Sequence, residues 1–306
     1  MTTSPNRVHR FALGADGELF PRASELGVVV LRVLVGLMWL YNVAWKRPPD
    51  FGQDTNSGLY KFTSYAVSHP VLPPYSWLVE NLVLPNLAAF GWLVLVVETL
   101  LAVLLLTGTF IRPAALVGVG QASAIALSVA RAPHEWPWSY WLMIGVHVAL
   151  VLAASASLAG VDGVRTARDS TLAEARAGRL LRGWGLAAGA VGVVAVVLTV
   201  GTAPFAASGR SVGDASLALS VGTYNLAGAL ALLVIAASLL GVAATRRPSV
   251  GYLGGGVAVV AAVLVYTTDW LGGTNTTGAV YLCLALVSAV GTAAVVRRGR
   301  EAAPPA

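Results

Sequence analysis

Arg32 and Glu98 are ionisable side chains set deep inside long apolar runs. A charged group at such a depth costs at least ~2.5–3.5 kcal/mol to insert, so it normally faces other helices and finds a partner. At ~1.5 Å rise per residue, Arg32, Glu98 and Gln121 lie about 12, 15 and 13 Å from the same end of their runs. Three polar groups on three consecutive helices at one depth form the layout of a charge-compensated cluster, in which Arg and carboxylate can pair bidentately. His147, on a fourth run, lies somewhat higher. Arg32, Gly36, Trp39, Val43 and Lys46 follow helical spacing, which puts Arg32, Trp39 and Lys46 on one face leading from the cluster to the opposite mouth. Two readings stay open. One is a polar path, or an anion or quinone site, with Arg32 and Glu98 catalytic and Trp39, Lys46, Gln121 and His147 binding. The other is a structural ion pair that fixes helix packing.

The elements that must position these residues follow from composition. The chain has 306 residues, 57% hydrophobic and 11% charged, with mean hydropathy +0.74. A soluble domain carries roughly 25% charged residues. So few charges cannot cover a water-facing surface, and lipid is the alternative solvent. Apolar stretches at about 25–45, 84–108, 113–131, 137–159, 183–203, 217–242, 251–271 and 277–296 reach or approach the ~20 residues that cross hydrocarbon. They are too continuously apolar for barrel strands. The expected fold is all-α and polytopic, with about eight helices in two four-helix units. Its divisions are a tail at 1–24, a first unit at 25–165, an Arg-rich linker at 166–182, a second unit at 183–296 and a tail at 297–306.

Basic residues set the expected orientation. With the N-terminus inside, 14 Lys and Arg fall in inner segments and 5 in outer ones (Lys46, Arg47, Lys61, Arg131 and Arg210). Both termini are then cytoplasmic. The first 24 residues lack the apolar core of a signal peptide. Trp45, Trp77, Trp92, Trp136, Trp138 and Trp270 fall near outer ends, as an interfacial belt would, or as a platform for quinone or substrate. In the outer segment 46–83, Leu59, Phe62, Tyr65 and Ala66 have the spacing of a surface helix.

Some chemistries are not expected. Cys283 stands alone, so there is no internal disulfide, CxxC pair or iron–sulfur set. Of His9, His69, His134 and His147 only the last lies well inside a span, too few for a bis-His haem. The net charge of +6 reads as topology signal, and no basic-aromatic interleaving suggests a nucleic-acid groove. No Walker or Rossmann motif is present. In the second unit the main polar residues near membrane depth are Asn225, Asp269 and Asn275, all toward the outer side. The stretches LLTGTFIRPAALVGVG and LLGVAATRRPSVGYLGGG echo one another across the units. Duplication and the commonness of Arg-Pro in short turns are both open explanations.

Three stretches carry a family resemblance: LRVLVGLMWLYNVAWK (Leu31–Lys46), ETLLAVLLLTGTFIRPAAL (Glu98–Leu116), and HEWPWSYWLM continuing to LAGVDGV (His134–Val164). Over about residues 25–165 the chain resembles the DoxX/DoxD-like membrane family, whose DoxD branch is the small subunit of thiosulfate:quinone oxidoreductase. The resemblance implies a four-helix membrane bundle serving thiosulfate or related sulfur chemistry. Electrons would go to membrane quinone, with no covalently bound cofactor. It also implies a soluble, DoxA-type redox partner and points to Arg32, Lys46, Glu98 and Asp162. Separately, the Arg-, Ala-, Val- and Gly-rich usage points to a high-GC bacterial genome and so to a bacterial plasma membrane. The helices after 183 depart from the short DoxX pattern. The competing expectations are a non-catalytic anchor or assembly factor for a soluble oxidoreductase, and a small-solute transporter.

Overall fold

The computed structural model describes residues 21–153 and 157–302. Arg7 and Arg10 of the expected tail lie outside them. Among the described residues, seven helices are long and apolar enough to cross a membrane. They are α1 (Pro21–Ala44), the continuous helical stretch Pro73–Thr107, α5 (Ile111–Val129), α8 (Ser170–Thr199), α9 (Leu226–Thr245), α10 (Pro248–Thr267) and α11 (Asn275–Ala302). The stretch Pro73–Thr107 begins with α3 (Pro73–Leu78), passes through a π turn and a 3-10 turn, and ends in α4 (Leu87–Thr107). Shorter helices are α2 (Gly58–Ser68), α6 (Pro137–Leu152) and α7 (Val161–Arg165). The protein is an all-α, polytopic membrane protein.

Helix ends follow local chemistry. Helix α4 stops at Gly108, whose φ of +69° is the left-handed conformation that glycine adopts without penalty. The second half repeats this turn: α9 ends on Arg246 at φ +57°, and Pro248 opens α10. Asp169 caps α8 by accepting from the Leu172 N–H at 2.7 Å. Asn225 caps α9 by accepting from the Gly228 N–H at 2.9 Å.

Three expectations about element boundaries need correction. The fifth long helix begins at Ser170, ahead of the apolar stretch that starts near 183, because the Asp169 cap and the Ala, Leu, Glu and Arg that follow favour helix. Most of the expected linker is therefore helical. The sixth apolar stretch, read as starting at 217, opens with strand. β1 (Arg210–Asp214) pairs antiparallel with β2 (Leu219–Tyr224), and α9 begins only after Asn225. The fourth span, α6, has only 16 residues and ends at Leu152. The helix around Leu59–Ala66 is present as α2, with Leu59, Thr63 and Ala66 buried.

Helix α1 packs on α4, and α5 packs on α6. Helix α8 lies between α9 and α11, and α11 also packs on α10, α4 and α1. One apolar core fills the second half. Another joins α1, α4 and α5 to Ala279 and Cys283 of α11, so α11 belongs to both halves. Asn275 Nδ2 donates to Lys46 O at 2.6 Å, and Thr276 Oγ1 donates to Leu40 O at 3.3 Å, tying α11 to α1. Large apolar side chains stand exposed around the whole perimeter, among them Leu34, Leu93, Leu142, Leu186, Val197 and Leu253. A water-soluble monomer does not expose apolar surface on this scale, and these side chains face the bilayer.

Candidate functional site

The charged cluster forms around Glu98, with a different partner from the one expected. Lys46 Nζ, not Arg32, forms the ion pair with Glu98 Oε2, and both side chains are 1% exposed. Gln121 Nε2 donates to Glu98 Oε1 at 3.1 Å, so the expected meeting of Glu98 and Gln121 holds. Lys46 Nζ also donates to Asn42 O at 2.9 Å and lies 3.8 Å from the centre of the Trp45 ring. An ammonium has three donors. The Asn42 carbonyl, the Glu98 carboxylate and the Trp45 ring surround that of Lys46 on the wall of a cavity.

Arg32 points elsewhere. Its Nη2 donates to Ala159 O at 3.3 Å, and its guanidinium fills the gap between Gly108 and Gly160, where a Cβ on either glycine would overlap it. The reason lies in the direction of helical side chains, which lean toward the helix N-terminus. From α1 the long Arg32 side chain reaches to the Gly108 end of the bundle, and Lys46 just past α1 leans back down to Glu98. Arg32 and Glu98 therefore belong to different sites. Asp162 is a latch: its Oδ2 accepts from the Ile111 N–H at 3.3 Å and its own N–H donates to Gly108 O at 2.9 Å. It thereby fastens α7 to the α4–α5 turn.

Trp39 and His147 meet in the core, both 0% exposed. Trp39 Nε1–H donates to His147 Nε2 at 2.9 Å, and His147 Nδ1 lies 2.6 Å from Met143 O. An indole N–H can only donate, so Nε2 accepts and Nδ1 carries the proton. Gly118 of α5 makes room for this ring, since a Cβ there would overlap the imidazole. Gly118 was not singled out from sequence; the preference for small residues at transmembrane helix contacts is the signal that marks it.

A cavity of about 590 Å³ lies beside the Lys46–Glu98 pair, between α1, α2, α4, α5 and α6. Lys46, Glu98, Gln121, Tyr75, Tyr140 and Trp45 contribute to its wall, and most of the rest is apolar. Tyr75 OH lies 2.9 Å from Ser128 Oγ, and Tyr140 OH donates to Glu135. Trp39 and His147 do not line this cavity. They bolt α1 to α6 rather than facing a ligand. Of the expected tryptophan belt, Trp77, Trp92, Trp136, Trp138 and Trp270 are exposed, and Trp45 turns inward to the cavity wall.

Fold and site define a multi-pass membrane protein with a buried, ion-paired cluster opening onto a largely apolar cavity. The chain matches no protein-family model, no curated protein and no solved structure.

Proposed function

We propose that the chain is the membrane subunit of a DoxD-like redox complex, and that the cavity beside Lys46 and Glu98 takes the headgroup of a membrane quinone. The observation that carries this reading is the buried ammonium–carboxylate pair on the wall of a cavity of about 590 Å³. That volume falls in the ~300–1,000 Å³ range of small-molecule sites, which are mostly apolar with a few placed polar groups. A quinone is a flat apolar ring with acceptor oxygens at its edges. The Lys46 ammonium on the cavity wall would attract such an oxygen, and Glu98 beside it would carry a proton. Thiosulfate, the donor that the family resemblance implies, would release electrons by oxidation. Each quinone would take up two electrons and two protons to become quinol. A soluble subunit would supply the oxidation step.

The same reading places the protein in a bacterial plasma membrane with both termini cytoplasmic. Its support is the arginine distribution. Arg112, Arg176, Arg179, Arg246 and Arg298 all lie on the helix ends next to the Gly108 turn or on the turns beside it, as the positive-inside rule requires of a cytoplasmic face.

The test is fluorescence of the purified chain in nanodiscs titrated with a water-soluble quinone analogue. Saturable quenching, weakened by Lys46→Met, supports the site; quenching that rises linearly without saturation rejects it. Thiosulfate-dependent quinone reduction in membranes of a deletion strain and its parent tests the reaction. Equal rates would remove the thiosulfate assignment. The competing reading is a non-catalytic anchor for a soluble oxidoreductase, held through segment 46–83 or 161–182, and it predicts no saturable quinone binding.

A further inference from the structure

A second cavity, of about 660 Å³, lies where α1, α8 and α11 meet. Its walls are apolar along most of their length, with Val33, Leu37, Leu180, Val191, Cys283 and Leu284 among them. Small residues on α8, Gly183 and Ala187, keep it open. It follows α8 from Arg176 to Val191, about 22 Å at 1.5 Å per residue, longer than the ~15 Å of one hydrocarbon leaflet. Its other feature is charge, and all of it is at one end: Arg32, Arg176 and Arg179.

The nearby acids are already engaged. Glu174 lies 3.1 Å from Arg246 and 4.0 Å from Arg298. Asp162 accepts from the Ile111 N–H and lies 3.7 Å from Arg165. Among the described residues neither Arg176 nor Arg179 forms an ion pair. Arg176 Nη1 donates to Gly163 O at 2.7 Å, which uses one of its five N–H groups. An apolar channel ending at the Arg176 and Arg179 guanidinium groups, which have no ion-pair partner among the described residues, complements a molecule with one long apolar tail and one anionic head.

We propose that this cavity holds an anionic phospholipid, with an acyl chain along α8 and the phosphate at Arg176 and Arg179, above Arg32. Guanidinium groups bind phosphate oxygens bidentately, and basic pockets between transmembrane helices are suited to lipid headgroups. The ligand surrounds the protein at all times, so the site is filled from the bilayer. A bound lipid would act as a wedge between the two halves, which otherwise meet chiefly through α11.

The test uses the full chain in nanodiscs of equal phosphatidylglycerol and phosphatidylcholine, followed by native mass spectrometry of the lipid that survives extraction. The expected result is about tenfold enrichment of phosphatidylglycerol. Arg179→Gln, at an exposed position, should reduce that enrichment about fivefold, as should Arg176→Gln. Ala187→Trp, which fills the channel and leaves the arginines in place, should abolish retention. Inorganic phosphate is the control for a free anion and should neither bind measurably nor displace the lipid. Equal retention of the two lipids would overturn the proposal. So would enrichment unchanged by both arginine variants, or phosphate binding that survives Ala187→Trp.

Discussion

Glu98→Gln removes the charge of the buried carboxylate with little change of shape, and it keeps an oxygen that can accept from Gln121. It leaves Lys46 with the Asn42 carbonyl and no counter-charge, at a position where both members of the pair are 1% exposed. Breaking a buried pair from one side typically costs about 3–5 kcal/mol, because the remaining charge has lost both water and its partner. Lys46→Met should cost a similar amount from the other side. Lys46→Met with Glu98→Gln removes both charges, so its cost should fall to about 1 kcal/mol, near that of one lost hydrogen bond. The two single losses would then exceed the double loss by several kcal/mol. Reversible unfolding in mixed micelles, followed by tryptophan fluorescence, reads all four members of the cycle. Additivity within about 0.5 kcal/mol would refute the reasoning, since it is the behaviour of sites that do not touch.

Three further outcomes follow from single contacts. Gly118→Leu drives a side chain into the imidazole of His147 and should cost about 1–3 kcal/mol; an unchanged melting temperature would count against the Trp39–His147 bolt. Asn225→Ala removes the α9 cap and the bonds that Asn225 Nδ2 donates to Ala206 O at 2.9 Å and Trp270 O at 2.8 Å. The cap alone contributes ~1 kcal/mol and each orphaned buried carbonyl ~1–3 kcal/mol, so a loss of at least ~2 kcal/mol is expected in the same unfolding assay. In a Cys283→Ser background, an impermeant thiol reagent on intact cells should label Asp54→Cys and spare Arg300→Cys; the reverse pattern would invert the proposed orientation.

The fold was legible to the extent that it rests on hydrophobicity. Long apolar runs have one stable form in lipid, because every backbone group must be satisfied within the segment. The run at 217–225 escaped that logic because it lies in the loop region, where pairing with a neighbour is available. Its LSVGTY segment alternates and carries Val and Thr, which suit a strand, and its Gly222 at φ +120° suits no helix. The start of α8 was hidden for the opposite reason. Five arginines between 165 and 182 look like solvent-facing loop by charge alone, whereas long basic side chains on a helix can lie along its surface and carry their heads beyond the apolar zone. Arg176 and Arg179 do this at the mouth of the α8 cavity.

The site was legible in depth and illegible in partnership. Counting residues places Cα atoms, and it brought Glu98 and Gln121 to the same level, where they meet at 3.1 Å. A lysine or arginine, however, extends several ångströms beyond its Cα in a direction fixed by the helix. Applied to α1, that direction separates the two basic residues of one face. Arg32 leans toward the start of its helix and reaches Gly108, and Lys46, counted as an outer-mouth residue, leans back to Glu98. Trp39 lies between them on the same face, fully buried and bonded to His147. The shared face is therefore not one polar path. It carries two separate charged ends, Lys46 paired with Glu98 at one and Arg32 set between Gly108 and Gly160 at the other, and the buried Trp39 between them in sequence is spent on holding α1 to α6.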